Sequence, residues 1–336
     1  MSTTFRPTTP VDQPALAKFL AGVFGSRPES SLVDSALMSW KYWDRRADYS
    51  DPRSYVLEDD GAIIGHVGLW PLLYGGVQGV HMIDWAASRS SPGAGISMVQ
   101  RVARMFEFIC ALGGSDTTVK VLPTFGFRVV AHTWEAGRPL RPIRQILTHQ
   151  SRDWKLGARL LRNIAWAATP ASRVPPEWGV QEISPSDADA AASTHAFPRQ
   201  RGFFEYLAAC PAARFRVFRL TRRGEPAGIV LLSLVRGQAH VAGLWPADSS
   251  EESYRASFVL AHRVARSIAG AYELVAKGTD GASGRAASAA GFRIRGNAPV
   301  FVLDKKGRFQ PPAEFQFQFI DDDGAFMDIG RADYLT

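Results

Sequence analysis

Apolar residues recur along the chain at two spacings, and the switches between them divide it into elements. Leu16, Phe19, Leu20 and Val23 follow a start signal at Thr9-Pro10-Val11-Asp12 and predict a helix over 15–24. A second helical stretch, 30–43, carries Leu32, Leu37, Trp40, Tyr42 and Trp43. Strands follow at 54–58 and 62–71, joined by the tight turn Asp59-Asp60-Gly61, and a third strand spans 77–87. Beyond a polar turn, Ile96, Val99, Val102 and Ala103 share one face of a helix over 96–104. A buried-looking strand at 106–112, a short helix ending at Phe125-Gly126 and a strand at 127–131 complete the pattern.

The same pattern then returns. Ser54-Tyr55-Val56-Leu57 with Gly61 and Gly65 is answered by Arg216-Val217-Phe218-Arg219 with Gly224 and Gly228. Arg101-Val102-Ala103-Arg104 returns as Arg263-Val264-Ala265-Arg266, and Gly126-Phe127-Arg128 as Gly291-Phe292-Arg293. The matches lie roughly 160–170 residues apart along one alignment, too long a period for a solenoid. Two copies of one domain are expected: 1–145 and 177–336, with a helical connector at 146–176.

The polar turn after the third strand is the centre of the first copy. Trp85, Ala86, Ala87 and Ser88 end the strand; Arg89, Ser90, Ser91, Pro92, Gly93, Ala94, Gly95 and Ile96 lead into the helix. A strand–turn–helix junction of this kind aims backbone N–H groups at a helix N-terminus that favours anions. Gly93 and Gly95 are expected to let a ligand approach the backbone. The second copy reads Ala247-Asp248-Ser249-Ser250-Glu251-Glu252 at this place, an acidic turn that would repel an anion.

Composition narrows the class. The 336 residues, 46% hydrophobic and 21% charged, suit two globular domains. The polar stretch 1–10 does not read as a secretory signal, and no run of about 18 apolar residues suggests a membrane span. Cys110 and Cys210 sit far apart in apolar surroundings, which points to a reduced, cytoplasmic setting. A formal charge of +7 favours an anionic partner. Much of it lies in the connector, where Arg138, Arg141, Arg144, Arg152, Lys155, Arg159, Arg162 and Arg173 face only Asp153. That stretch reads first as a solvated helix across both domains, and second as a contact for an anionic membrane or a polyanion.

With the element order β-β-β, Gly-x-Gly loop, helix, β, short helix, Gly-Phe and closing strand, each copy resembles the GNAT family of acyl-CoA N-acyltransferases. Ser90-Ser91-Pro92-Gly93-Ala94-Gly95 matches the small positions of the family's Gln/Arg-x-x-Gly-x-Gly/Ala motif. It puts Ser90 where a basic or amide residue is usual, with Arg89 one place early. The resemblance covers roughly residues 5–140 and 178–305 and is to bacterial tandem GNAT proteins, some associated with exopolysaccharide biosynthesis. It implies an α/β (α+β) protein of two GNAT-like domains, each a mixed, mainly antiparallel twisted sheet flanked by helices. It also implies acetyl-CoA or another acyl-CoA as co-substrate, gripped by residues 85–96 of the first copy only, and a small-molecule primary amine, such as an amino sugar, as acceptor.

Direct attack by an amine on a thioester needs a base, a stabilised oxyanion and a proton for the thiolate. Asp84, on the strand entering the turn, is the first candidate base and His81 the second. Glu107 is matched by Glu273, which suits a fold role better than a site present in one copy. The family often has a Tyr general acid on the last helix; Phe125 stands there instead, with Ser115 and Cys110 nearby.

Other chemistries lack their motifs. There is no Gly-x-Ser-x-Gly, Cys-x-x-Cys or His-Glu-x-x-His, so no metal site is expected. Asp321-Asp322-Asp323-Gly324 lacks EF-hand spacing and reads as a turn after a strand carrying Phe315, Phe317 and Phe319. No aromatic platform accompanies the basic residues, so specific nucleic-acid binding is not expected. Two alternatives stay open: a Fem-like transferase using aminoacyl-tRNA, and a non-catalytic tandem module.

Overall fold

The computed structural model describes residues 3–25, 30–74, 76–148, 154–169, 173–194, 202–279, 281–309, 315–327, 334 and 336, with side chains of 192–194 excepted. Among these described residues twelve strands form one sheet. The first copy supplies β1 (Thr3–Pro7), β2 (Ser54–Asp59), β3 (Ala62–Tyr74), β4 (Val77–Ala87), β5 (Phe108–Leu112) and β6 (Arg128–Pro139). The second supplies β7 (Trp178–Ile183), β8 (Arg214–Arg222), β9 (Glu225–Val235), β10 (Gln238–Pro246), β11 (Glu273–Thr279) and β12 (Arg293–Asp304). Helices α1 (Gln13–Phe24), α2 (Ser35–Met38), α3 (Ala94–Met105) and α4 (Asp116–Val121) belong to copy one, and α5 (Pro142–Thr148) and α6 (Leu156–Ala168) to the connector. Copy two has α7 (Pro185–Thr194), α8 (Phe203–Ala208), α9 (Glu251–Ser267) and α10 (Ala282–Ala289). The expected architecture, two copies of a mainly antiparallel sheet flanked by helices, is present.

The copies share their last strands. The spatial order is β1-β2-β3-β4-β5-β12-β6-β11-β10-β9-β8-β7. Strand β12 pairs with β5 from Val300↔Leu112 to Asp304↔Phe108, while β6 pairs with β11 from Glu273↔Pro139 to Thr279↔Thr133. Each copy thus closes the other's sheet, and β6 and β12 pair together at the centre. No edge is left between the halves, which removes two rows of unpaired N–H and C=O groups.

Both faces are covered. On one, Val99 and Val102 of α3 pack on copy one, and Phe258 and Val259 of α9 pack on copy two. The other face holds α1, α2, α8 and residues 315–327 in one cluster around Trp40, Trp70, Tyr206 and Phe326. Trp40 stacks on Tyr206, 4.7 Å between centroids, and donates from Nε1 to the Tyr206 carbonyl, so the copies are bonded as well as packed. Each side chain of this size contributes about 2–3 kcal/mol on full burial.

Three elements differ from the sequence expectation. Residues 30–43 are not one helix but a 3₁₀ turn at Ser31–Val33, then α2, then a π-helical turn at Ser39–Trp43. The wider turn brings Trp40, Lys41 and Tyr42, consecutive residues, all into the interior. Strand β1 is an addition, held at the sheet edge by pairing with β2. Residues 315–318 form no strand; Phe319–Asp321 and Asp323–Ala325 are 3₁₀ turns, and Phe317, Phe319 and Ile320 are buried between the copies. The connector helix α6 forms near its expected place, but Arg138 is buried and Arg141 half-buried. Arg138 donates to the carbonyls of Ala290 and Thr169, and Arg141 to those of Ile268, Ala271 and Arg266.

Candidate active site

Strands β4 and β5 run parallel for only two residue pairs, Val80↔Ile109 and His81↔Cys110, and then part. Just past that point β4 bulges. Gly68 faces Ile83 and His66 faces Ala86, so Asp84 and Trp85 share the single place opposite Val67. Asp84 takes the left-handed conformation, φ +47°, which Asp tolerates better than most side-chain-bearing residues. Its carbonyl is held by His66 Nδ1 at 3.1 Å, while His66 Nε2 meets Ser54 Oγ at 3.0 Å.

The turn beyond β4 opens α3 as the spacing predicts. Gly93 caps the helix at φ +87° and contributes no side chain to it. Ala94 N–H donates back to Ser91 O and Ser97 N–H to Gly93 O. The N–H groups of Gly95 and Ile96 lie in the first turn, where a helix offers no acceptor of its own. Within the protein itself the two glycines differ. Gly93 is needed for its φ, since a Cβ there would meet nothing within 4 Å. A Cβ on Gly95 would rest in ordinary contact, 3.4 Å from Ala87 Cβ.

The corresponding helix of copy two is closed. Ser250 Oγ accepts Ser253 N–H, Asp248 Oδ1 accepts Ser250 N–H, and Asp248 Oδ2 accepts the Ser253 hydroxyl. Glu251 and Glu252 fill the first turn. Three carboxylates thus surround this helix start, Asp248 on Ser250 N–H and Glu251 and Glu252 paired with Arg285 and Arg222, a setting that disfavours an anion.

Beneath the bulge lies a buried charged cluster. Lys41 Nζ is 2.5 Å from Asp84 Oδ2, and the Tyr42 hydroxyl donates to the same oxygen at 2.6 Å. Burial alone would push the Asp84 carboxyl up, but the Lys41 charge and the two hydrogen bonds outweigh it and hold the carboxyl below its ordinary value. Lys277 pairs with Asp322 at 2.6 Å and with Glu135 at 3.3 Å. Asp323 adjoins both pairs. Among the described residues nothing hydrogen-bonds or ion-pairs with its carboxylate, and burial, then the charges of Asp84 and Asp322, push it up to about 7 against the pull of Lys41 and Lys277.

The candidate residues therefore separate. Asp84 stands at the bulge, but as an ion-paired carboxylate. His81 is held on both sides: its Nδ1 donates to the Asp321 carbonyl at 3.0 Å and its Nε2 accepts Leu112 N–H at 3.1 Å. Both ring nitrogens are engaged by main chain, and burial pushes the ring down to about 4, so it has no lone pair to offer. Ser115 caps α4 by accepting Thr118 N–H, and burial drives the Cys110 thiol well up. Glu107 and Glu273 differ in setting. The first is exposed and paired with Lys306, while the second is fully buried and accepts the N–H and hydroxyl of Thr336. Sequence reasoning missed Lys41, Tyr42 and Asp323; the only available signal was a lysine between two aromatics in a helical stretch.

A cavity of about 730 Å³ lies beside Tyr42, lined by residues 8–10, 42–53 and Gln78. Its Asp44, Asp48 and Asp51 balance Arg45, Arg46 and Arg53, unlike the carboxylate-free turn at α3. Among the described residues no group of acidic, His or Cys side chains is arranged to hold a metal.

The overall fold is matched in solved structures. A tandem GNAT protein from the clavulanic acid biosynthesis pathway aligns over 92% of this chain and 100% of its own, with TM-score 0.56 and 12% identity. The fold is the GNAT fold, in tandem. A putative acetyltransferase of Pyrococcus horikoshii aligns over 94% and 92% of the two chains at TM-score 0.57 and 12% identity. The N-myristoyltransferase of Saccharomyces cerevisiae, solved with myristoyl-CoA and inhibitors, aligns over 90% and 80% at TM-score 0.59 and 9% identity. No family model matches the sequence, and no curated protein matches it. At these identities the likeness of the GNAT copies is one of fold.

Proposed function

We propose that the protein is an acyl-CoA-dependent N-acyltransferase, acetyl-CoA being the first co-substrate to try, with one working site in the N-terminal copy and a small primary amine as acceptor. The observation that carries this is the contrast between the two helix N-termini: α3 starts at a glycine with no side-chain cap below a splayed, bulged strand, and α9 is capped by Ser250 and flanked by Asp248, Glu251 and Glu252. In this reading the backbone of residues 88–96, with Arg89, receives the pyrophosphate, and the edge of β4 from Trp85 to Ser88 pairs with the pantetheine amides. The N–H of the bulge faces the thioester oxygen.

The proton inventory favours a division of labour. The pair Lys41–Asp84 fixes the bulge, and the unpaired Asp323 carboxylate takes the proton of the acceptor ammonium, directly or through a water. The freed amine forms the C–N bond, the C–S bond breaks with its electron pair on sulfur, and the second N–H proton leaves as the thiolate is protonated from solvent. A base that titrates near 7 suits this task better than an ion-paired one.

The test is thiol release from acetyl-CoA in the presence of glucosamine as a probe amine. The reading expects amine-dependent release in the wild type and a loss of about 100-fold in Asp323→Asn, with acetyl-CoA binding retained. Retained binding without release from any amine would favour the second reading, a ligand-binding module. Ser115 is taken up in capping α4 and Cys110 is fully buried, so protonation is left to solvent, which speaks for that second reading. Release that depends on charged tRNA would favour a Fem-like reaction.

A further inference from the structure

The connector helix α6 is turned inside out. Its inward side chains are Asn163 and Trp166, and Asn163 Nδ2 donates to Gln145 Oε1 in the interior. Its outward face is Gly157, Ala158, Leu161, Ile164, Ala165 and Ala168, all exposed and all uncharged. Leu161 is 71% exposed, Trp154 just before the helix 87%, and Ile143 and Leu147 on the adjoining α5 62% and 70%. An amphipathic helix ordinarily buries such a stripe, and a monomer seldom exposes so many large apolar side chains together.

Cations flank the stripe. Arg144 and Lys155 are exposed on α5 and before α6, and Arg159 and Arg162 lie along its sides. Arg293 stacks on Trp166, 4.2 Å from the ring. Burial, then the charges of Arg295, Arg293 and Arg159, lower the Arg162 pKa, so these arginines crowd one another. No acid occurs in residues 142–148 or 154–169. A second copy of the chain docked about a two-fold axis here would set the arginines against each other. An apolar stripe with a cationic margin and an aromatic at its end complements an anionic lipid surface instead.

We propose that α5 and α6 form an in-plane docking face for an anionic bilayer, with Ile143, Leu147, Trp154, Leu161 and Ile164 entering the acyl boundary and the arginines meeting the headgroups. No helix among the described residues is long and apolar enough to cross a membrane, so the contact is peripheral. Each arginine near an anionic surface contributes roughly fivefold to partitioning, and salt screens that part alone.

The test is sedimentation of the full chain with vesicles of phosphatidylcholine containing phosphatidylglycerol, beside pure phosphatidylcholine. The expected result is preferential binding to the anionic vesicles, weakened by salt. Leu161→Glu, at an exposed position that leaves the fold intact by its circular dichroism and Tm, should reduce it at least tenfold, as should Arg295→Glu. A blue shift of emission lost in Trp154→Phe would place that residue in the interface. Equal binding to both vesicles, or none, overturns the proposal. So does a dimer in light scattering that Leu161→Glu dissociates, since a second copy would then cover the face.

Discussion

Lys41 Nζ and Asp84 Oδ2 lie 2.5 Å apart with their side chains 1% and 5% exposed, which ties the π-helical turn to the bulge of β4. A buried pair is a modest net stabiliser, but breaking it strands a charge and costs about 3–5 kcal/mol. Lys41→Met is therefore expected to lower the unfolding free energy by that amount, and Lys41→Met with Asp84→Asn to recover most of it. Urea denaturation of the single and double variants checks this. Additive losses would mean that the two side chains do not interact.

Asp323 is held against its own ionisation. Its folded pKa, about 7, lies above the ordinary carboxylate value, so its contribution to stability is present at low pH and is lost as pH rises through about 7. Asp323→Asn should then raise the Tm by roughly a few degrees at pH 8 and by only about a third as much at pH 5. A structural aspartate would show the reverse, with loss of Tm on amidation. Thermal scans at the two pH values separate the cases.

Four histidines shift the other way. Burial pushes His66, His81 and His240 down to about 4 and His262 to about 3. The unfolded chain binds these protons first, so the stabilisation is complete above about pH 6.5 and falls as pH drops through the folded values. Each contributes on the order of 3–5 kcal/mol at most. Denaturation series from pH 7.5 to 4.5 should show a steep loss, made shallower in His81→Gln. A pH-independent midpoint would contradict the burial of these rings.

The exchange of β6 and β12 makes the halves interdependent. Residues 1–145 alone lack β12 and would expose the edges of β5 and β6. Either half expressed alone is expected to aggregate, and the two halves expressed together to copurify as one complex. A well-dispersed NMR spectrum from the isolated N-terminal half would contradict this account.

The hairpin β2–β3 and the full span of β4 were legible because their alternation is local and the turn Asp59-Asp60-Gly61 sets their register. Strand β1 was not, because its polar residues gain their place only by pairing with β2. Phe315, Phe317 and Phe319 alternate like a strand, yet the segment takes non-strand form and buries its rings between copies. The exchange was hidden for a related reason. Repeated strands have two equivalent partners, and sequence pattern does not choose between them. The turn at Gly93 and the helix it opens were readable from local spacing, whereas Lys41, Asp84 and Asp323 meet only through the tertiary fold.

In the proposed reaction one helix start, that of α3 in copy one, grips the anion. Titration calorimetry of acetyl-CoA tests it most directly, with Gly95→Glu as the control. That substitution sets a carboxylate at the α3 N-terminus at a position with ordinary φ and room for a Cβ. The account predicts a stoichiometry near one, abolished in the variant while the Tm is kept. A stoichiometry near two, or undiminished binding by Gly95→Glu, would contradict it, as would no binding by the wild type.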